Sequence, residues 1–171
     1  MAAAVGLVVT VSVPFALILL LHAETVEPLS IGQPAPSLQL FSLYDQTPIS
    51  PAGNKKIILF FTVECPHCQN ELLNFDALFR RYHKLMNFAA VSLSSSIKTK
   101  EFVRERGFPF PVAVDEEKTT KETYRFTSVP ALFLIDKQGI LRYRRFGKAS
   151  LQVDEELVVA FLSGTTMMNR R

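Results

Sequence analysis

The stretch FFTVECPHCQNE, Phe60 to Glu71, contains both cysteines of this 171-residue chain. Upstream of it, IILFFTV (Ile57 to Val63) is an apolar run of strand length without alternation. That pattern suits a central strand covered on both faces. Downstream, Leu72, Phe75, Phe79, Tyr82 and Met86 recur at steps of three and four, with Leu78 and Leu85 alongside. Such a stripe is one face of an amphipathic helix. Pro66 belongs in its first turn, where a missing N–H costs no hydrogen bond. The two thiols therefore sit at a strand-to-helix junction.

That position has chemical consequences. A helix start presents unsatisfied N–H groups and partial positive charge. A thiolate placed there is stabilised, so Cys65 is expected to be the attacking thiol. Cys68, one turn deeper, is expected to be the resolving thiol. His67 beside the pair favours the thiolate, whereas the charge of Glu64 opposes it. Two cysteines and one adjacent histidine supply at most three metal ligands, and no second cysteine pair exists to complete a structural zinc site. A structural disulfide across four residues would close too small a loop to constrain the unfolded chain. A metal site would need His83 or a carboxylate brought in by the fold, so redox chemistry is the leading reading, with no metal and no organic cofactor expected.

Outward from the junction, strands and helices alternate. FAAVSLS reads as a second strand, SIKTKEFVRERG as a short helix ended by Gly107, and EEKTTKETYRF as another. SVPALFLID is a strand that follows a proline, and KQG turns it into ILRYRRFG, its antiparallel partner. Leu151 to Leu162 closes the chain as a helix. The expected fold is α/β, a central mixed sheet flanked by helices. Val129-Pro130, just before a strand, is a position where a cis bond is a plausible device for holding an incoming extended chain.

The remaining segments set the boundaries. Residues 2–21 carry no charged side chain, and as a helix they would rise about 30 Å, enough to cross a bilayer core. The run is longer than a signal-peptide core, and Leu21-His22-Ala23 is a poor cleavage site, so an uncleaved anchor is favoured over a cleaved signal. The expected organisation is an anchor or signal in 1–23, a proline-rich linker in 24–36, one domain in 37–164 with an extended entry from Ser37 to Leu43, and a tail in 165–171. The domain should lie outside the cytoplasm, where disulfides are permitted. Net charge is +3 and no dense basic stripe occurs, which argues against nucleic acid as a partner.

These features together resemble the thioredoxin superfamily: Cys-x-x-Cys at a strand–helix junction, then Val129-Pro130 and a FLID-x-x-G hairpin. IGQPAPSLQLFSL, FLIDKQGILRYRRFG and the extra segment from Lys98 to Val114 are similar to the membrane-tethered TlpA/ResA-like branch. The resemblance covers about Ile31 to Leu162. It implies a thioredoxin-like fold with an amino-terminal extension and an inserted segment. It also implies disulfide exchange with exported proteins such as apocytochromes, served by a membrane redox partner. Cys65 and Cys68 match the branch's nucleophilic and resolving cysteines, Pro130 its cis-proline with Val129 at the substrate, and Glu71 an acid used for proton movement. The buried acid of thioredoxins proper is replaced by Leu59, and the tryptophan usual before the first cysteine is absent. The tetrapeptide Cys-Pro-His-Cys, with Val before the proline, is similar to oxidising DsbA-type enzymes. Thr62-x-x-Cys65 resembles the peroxidatic motif of AhpC/TSA-type peroxiredoxins, without their proline four residues before the threonine.

Overall fold

A computed structural model describes residues 27–50 and 52–164. The apolar run of residues 2–21 and the tail from 165 lie outside the described residues. Among the described residues, no helix is long and apolar enough to cross a membrane.

Five strands form one mixed sheet: β1 (Lys56–Phe61), β2 (Asn87–Ser92), β3 (Val112–Val114), β4 (Ala131–Ile135) and β5 (Leu141–Phe146). Their order is β3-β2-β1-β4-β5. β1 runs parallel to β2 and antiparallel to β4, and β4 and β5 form the closing hairpin. Between them lie α1 (Pro66–Tyr82), α2 (Ser96–Arg106), α3 (Thr119–Thr123) and α4 (Leu151–Ser163).

β1 shows why its run does not alternate. Ile57, Leu59 and Phe61 face one side, packed with Leu72, Phe75 and Leu78 of α1 and Val158 and Phe161 of α4. Ile58 and Phe60 face the other, packed with Leu38, Ile49, Tyr124 and Phe126. Both faces are dry, so every residue of the strand after Lys56 is buried. Phenylalanine does the filling in a chain with fourteen Phe and no Trp. Phe60 meets Phe133 edge-on at 5.6 Å, and Phe75 meets Phe110 edge-on at 4.9 Å. Each such ring contributes about 1.5–3 kcal/mol by leaving water.

The apolar stripe outruns its helix, and the extended entry pairs only locally. α1 stops at Tyr82, and Met86 reaches the core from the turn that follows. Residues 37–43 form no strand; their pairing is the isolated bridge of Phe41 with Pro48, while Leu38 is buried under the second face. Before them, Gly32 N–H donates to Leu141 O at 2.8 Å and Ala35 N–H to Gly139 O at 2.8 Å, which docks this stretch on the hairpin.

The topology gathers chain ends on one rim of the sheet. β1 and β2 end there, and the antiparallel β4 begins there: Phe60 lies opposite Ala131. β5 ends beside it, with Arg145 opposite Leu132. Three helix starts rise from the same rim: α1 capped by Cys65, α2 by Ser95 and α4 by Ser150.

Candidate active site

Cys65 is the N-cap of α1. Its backbone is extended, and its sulfur accepts the Cys68 N–H at 3.2 Å. A hydroxyl or carboxylate ordinarily takes this capping place; here sulfur does. The same N–H that would orient a capping oxygen therefore points at the Cys65 sulfur. Cys65 is half-buried and Cys68 fully buried, and both are free thiols. Burial pushes the Cys68 thiol up to about 12, and its contact with the Cys65 sulfur adds to the effect. The pair is thus asymmetric: one sulfur open to a partner, the other kept protonated in the core.

Pro66 occupies the first turn of α1, exposed, and His67 follows it on the outside of the helix. Gln69 closes the turn from below by donating to Val63 O at 2.8 Å. The Val129–Pro130 bond is cis. Because Ala131 pairs with Phe60, these two residues lie alongside the exit of β1 toward Cys65. Pro130 is buried, and its carbonyl accepts the Gly147 N–H at 2.8 Å.

Glu64 does not stand bare beside Cys65. Lys98 of α2 donates to it at 2.8 Å, and Ser94 at 2.7 Å. Lys98 and then Ser94 hold its carboxyl down to about 2. The opposing charge expected at this position is therefore balanced by a cation that the sequence alone does not place. Ser94 also receives the Val63 N–H at 3.0 Å, which locks the strand end to the loop after β2.

Glu71 sits on the inner face of α1, one turn after Cys68, and is buried. Arg145 of β5 donates to its Oε1, and the Ala149 N–H to its Oε2 at 3.2 Å. The same Arg145 nitrogen donates to Asp154 of α4 at 2.8 Å. Two buried carboxyls thus share one guanidinium. Burial opposes the charge of Arg145, but Asp154 and Glu71 outweigh it and keep the guanidinium firmly protonated. Burial pushes Asp154 up to about 7; Arg145 pulls against this, and the neighbouring Glu71 reinforces it. Among the described residues, Asp154 Oδ2 and Arg145 Nε are buried with no hydrogen-bond partner.

Arg145 and Asp154 escape a reading of the sequence for motifs, yet each left a signal. Asp154 falls on the stripe Leu151, Val158, Phe161 of its helix, where an apolar residue belongs. Arg145 shares its strand face with Tyr143, since their partners Leu132 and Leu134 both face α1. No group of three His, Cys, Asp or Glu that could hold a metal occurs among the described residues.

Residues 31–144 match the AhpC/TSA family. The chain belongs to that family. Within it, the thiol–disulfide oxidoreductase ResA of Bacillus anthracis is 30% identical over 117 residues, covering 66% of this chain and 68% of that protein. The thioredoxin-like protein YneN of Bacillus subtilis is 26% identical over 117 residues, covering 65% and 68%. Among solved structures, StoA of Bacillus subtilis superposes with a TM-score of 0.64 at 20% identity, covering 74% of this chain and 99% of that one. A thiol:disulfide interchange protein of DsbE type from Chlorobium tepidum gives 0.73 at 23%, covering 78% and 99%. The fold is thioredoxin-like, and this AhpC/TSA chain is a ResA-like member of the thioredoxin superfamily, an oxidoreductase working through a cysteine pair.

Proposed function

We propose that this protein is an extracytoplasmic thiol–disulfide oxidoreductase that reduces disulfides in exported proteins. The observation that carries the reading is the asymmetry of the pair: Cys65 Sγ accessible and held by the Cys68 N–H at 3.2 Å, and Cys68 buried with its proton retained.

The reaction follows from that geometry. Cys65, as thiolate, attacks one sulfur of the substrate disulfide. The substrate S–S bond breaks, a Cys65–substrate disulfide forms, and the released substrate sulfur takes up a proton. Cys68 then gives up its proton and attacks Cys65 Sγ. The mixed disulfide breaks, the substrate leaves as a dithiol, and Cys65–Cys68 holds the oxidised state. Glu71, three residues after Cys68, is the group we assign to accept the Cys68 proton. Val129 and Pro130, beside the exit of β1, would line the substrate's backbone. A solvent-exposed His67 and an ionised Glu64 paired with Lys98 set the surroundings of Cys65.

The apolar stretch of residues 2–21 supports a tether to the membrane; in this reading the domain works outside the cytoplasm and draws electrons from a membrane redox partner. Similarity to ResA supports thiol–disulfide exchange; the reducing direction, with apocytochrome disulfides as a substrate class, is what the resemblance to the TlpA/ResA-like branch implies. The test is insulin-disulfide reduction. Cys65→Ser should abolish it; full activity in that variant would refute the assignment.

A further inference from the structure

The pairing of Glu71 with Arg145 raises a difficulty for its role as a base. A carboxylate matched by one guanidinium is already neutralised, and a neutral pair has little reason to take a proton. Asp154 changes the count. Two ionised carboxylates against one guanidinium carry a net charge of −1 in a buried site, and one added proton makes the site neutral. Like charges sharing a buried site raise the proton affinity of the pair, and the proton belongs to the pair rather than to either group.

We propose that Asp154 is a positioning residue of the exchange reaction, one that makes the Glu71–Arg145–Asp154 cluster able to accept the Cys68 proton in the resolving step. The inference rests on the oxidoreductase reading and extends it to two residues outside the cysteine motif. Glu71 is near enough to Cys68 for its charge to push the thiol up. Arg145 contributes a single nitrogen to both acids, fixing them side by side. Glu71 and Asp154 are each 1% exposed at the side chain, so water does not dilute their interaction. Among the described residues Asp154 Oδ2 finds no hydrogen-bond partner, which leaves a bare anionic oxygen and a place for a proton. The charged and titratable groups facing this cluster are Arg145 and Tyr143 from β5, and Cys68 with Glu71 from α1; the Ala149 N–H completes the ring. Only Arg145 is cationic among these. The step balances: Cys68 S–H loses its proton to the cluster, the Cys68 thiolate attacks Cys65 Sγ, and the two electrons of the broken mixed disulfide leave on the substrate sulfur.

The test uses the intact, reduced chain and 5,5′-dithiobis(2-nitrobenzoate) as the disulfide. The first nitrothiolate is released when Cys65 attacks, the second when Cys68 resolves. Asp154→Asn should leave the first phase unchanged and slow the second about tenfold, with its pH midpoint moved acidward, because the remaining neutral pair takes a proton only at lower pH. A second phase with unaltered rate and midpoint would overturn the proposal while leaving the exchange chemistry standing. Loss of exchange chemistry itself is read separately: Cys65→Ser must remove the fast first phase, and if it does not, the oxidoreductase reading fails instead. Carboxyl ¹³C titration of the wild-type chain covers the case in which Asp154→Asn does not fold. A coupled carboxyl titration near neutral pH supports the proposal, and two buried carboxyls fully ionised by pH 5 overturn it.

Discussion

Two acids flank the cysteine pair, and their surroundings could hardly differ more. Glu64, just before Cys65, pairs with Lys98 at the surface, with side chains 53% and 62% exposed. Glu71, just after Cys68, pairs with Arg145 in the interior, with side chains 1% and 13% exposed, and shares it with Asp154. Water screens the outer pair, which leaves it a modest trim on the charge beside Cys65. The inner cluster has no such screening. There, removing any one charge redistributes protons among the rest. The same residue type thus meets two environments: under the proposed reaction, the outer pair would tune how the exposed thiol meets a partner, and the inner cluster how the buried thiol gives up its proton.

The sharpest way to break this contrast is at the cations. Arg145→Met removes the one positive charge between two buried carboxyls. It should destabilise the fold by about 3–5 kcal/mol, read from urea denaturation midpoints, as expected when one partner of a buried ion pair is lost. A loss under about 1 kcal/mol would show that the cluster is wetter than its burial indicates. Asp154→Asn, described above, comes next, with an effect confined to the second phase of exchange. Lys98→Met should be the mildest, with little change in stability, because an exposed ion pair contributes little. Its signature lies elsewhere. Without Lys98, the charge of Glu64 bears directly on Cys65 and should slow its alkylation at neutral pH, and the added change Glu64→Gln should restore the rate. The difference between Lys98→Met and wild type should shrink in high salt, since an exposed charge is screened within about 10 Å at 0.1 M. An alkylation rate indifferent to Lys98 would mean that the outer pair has no part in tuning the thiol.

Much of the scaffold was legible because its signals are local. The non-alternating run before Cys65 announced a strand covered on both faces, and Ile57 to Phe61 are buried on alternate sides of the sheet. The stripe from Leu72 marked α1, and Gly107 stops α2 with a positive φ of 64°, a conformation that glycine adopts without a steric penalty. The cysteine pair and the hairpin could be read from local pattern, whereas the cis form of Val129–Pro130 was implied by the family resemblance. The inner cluster could not. Glu71 and Arg145 are 74 residues apart, and they meet only because β5 pairs with β4 in a register that turns Arg145 toward α1. Asp154 joins them only once α4 packs on the same face, where Val158 and Phe161 are buried. The pairing of Glu64 with Lys98 likewise depends on where α2 begins relative to β1. Local pattern sets the elements; which charges face each other is a property of the assembled sheet. The charges on inward faces were the usable clue, since Glu71, Arg145 and Asp154 each occupy a position where the period calls for an apolar side chain.

The central claim is that the fold divides the labour between the two thiols. It is tested most directly by pH-resolved alkylation of the reduced chain with iodoacetamide, with each cysteine quantified by mass spectrometry. Cys65 should be modified at neutral pH. Cys68, whose thiol burial pushes up to about 12, should resist until strongly alkaline solution. Equal modification of both cysteines at pH 7 would contradict the account.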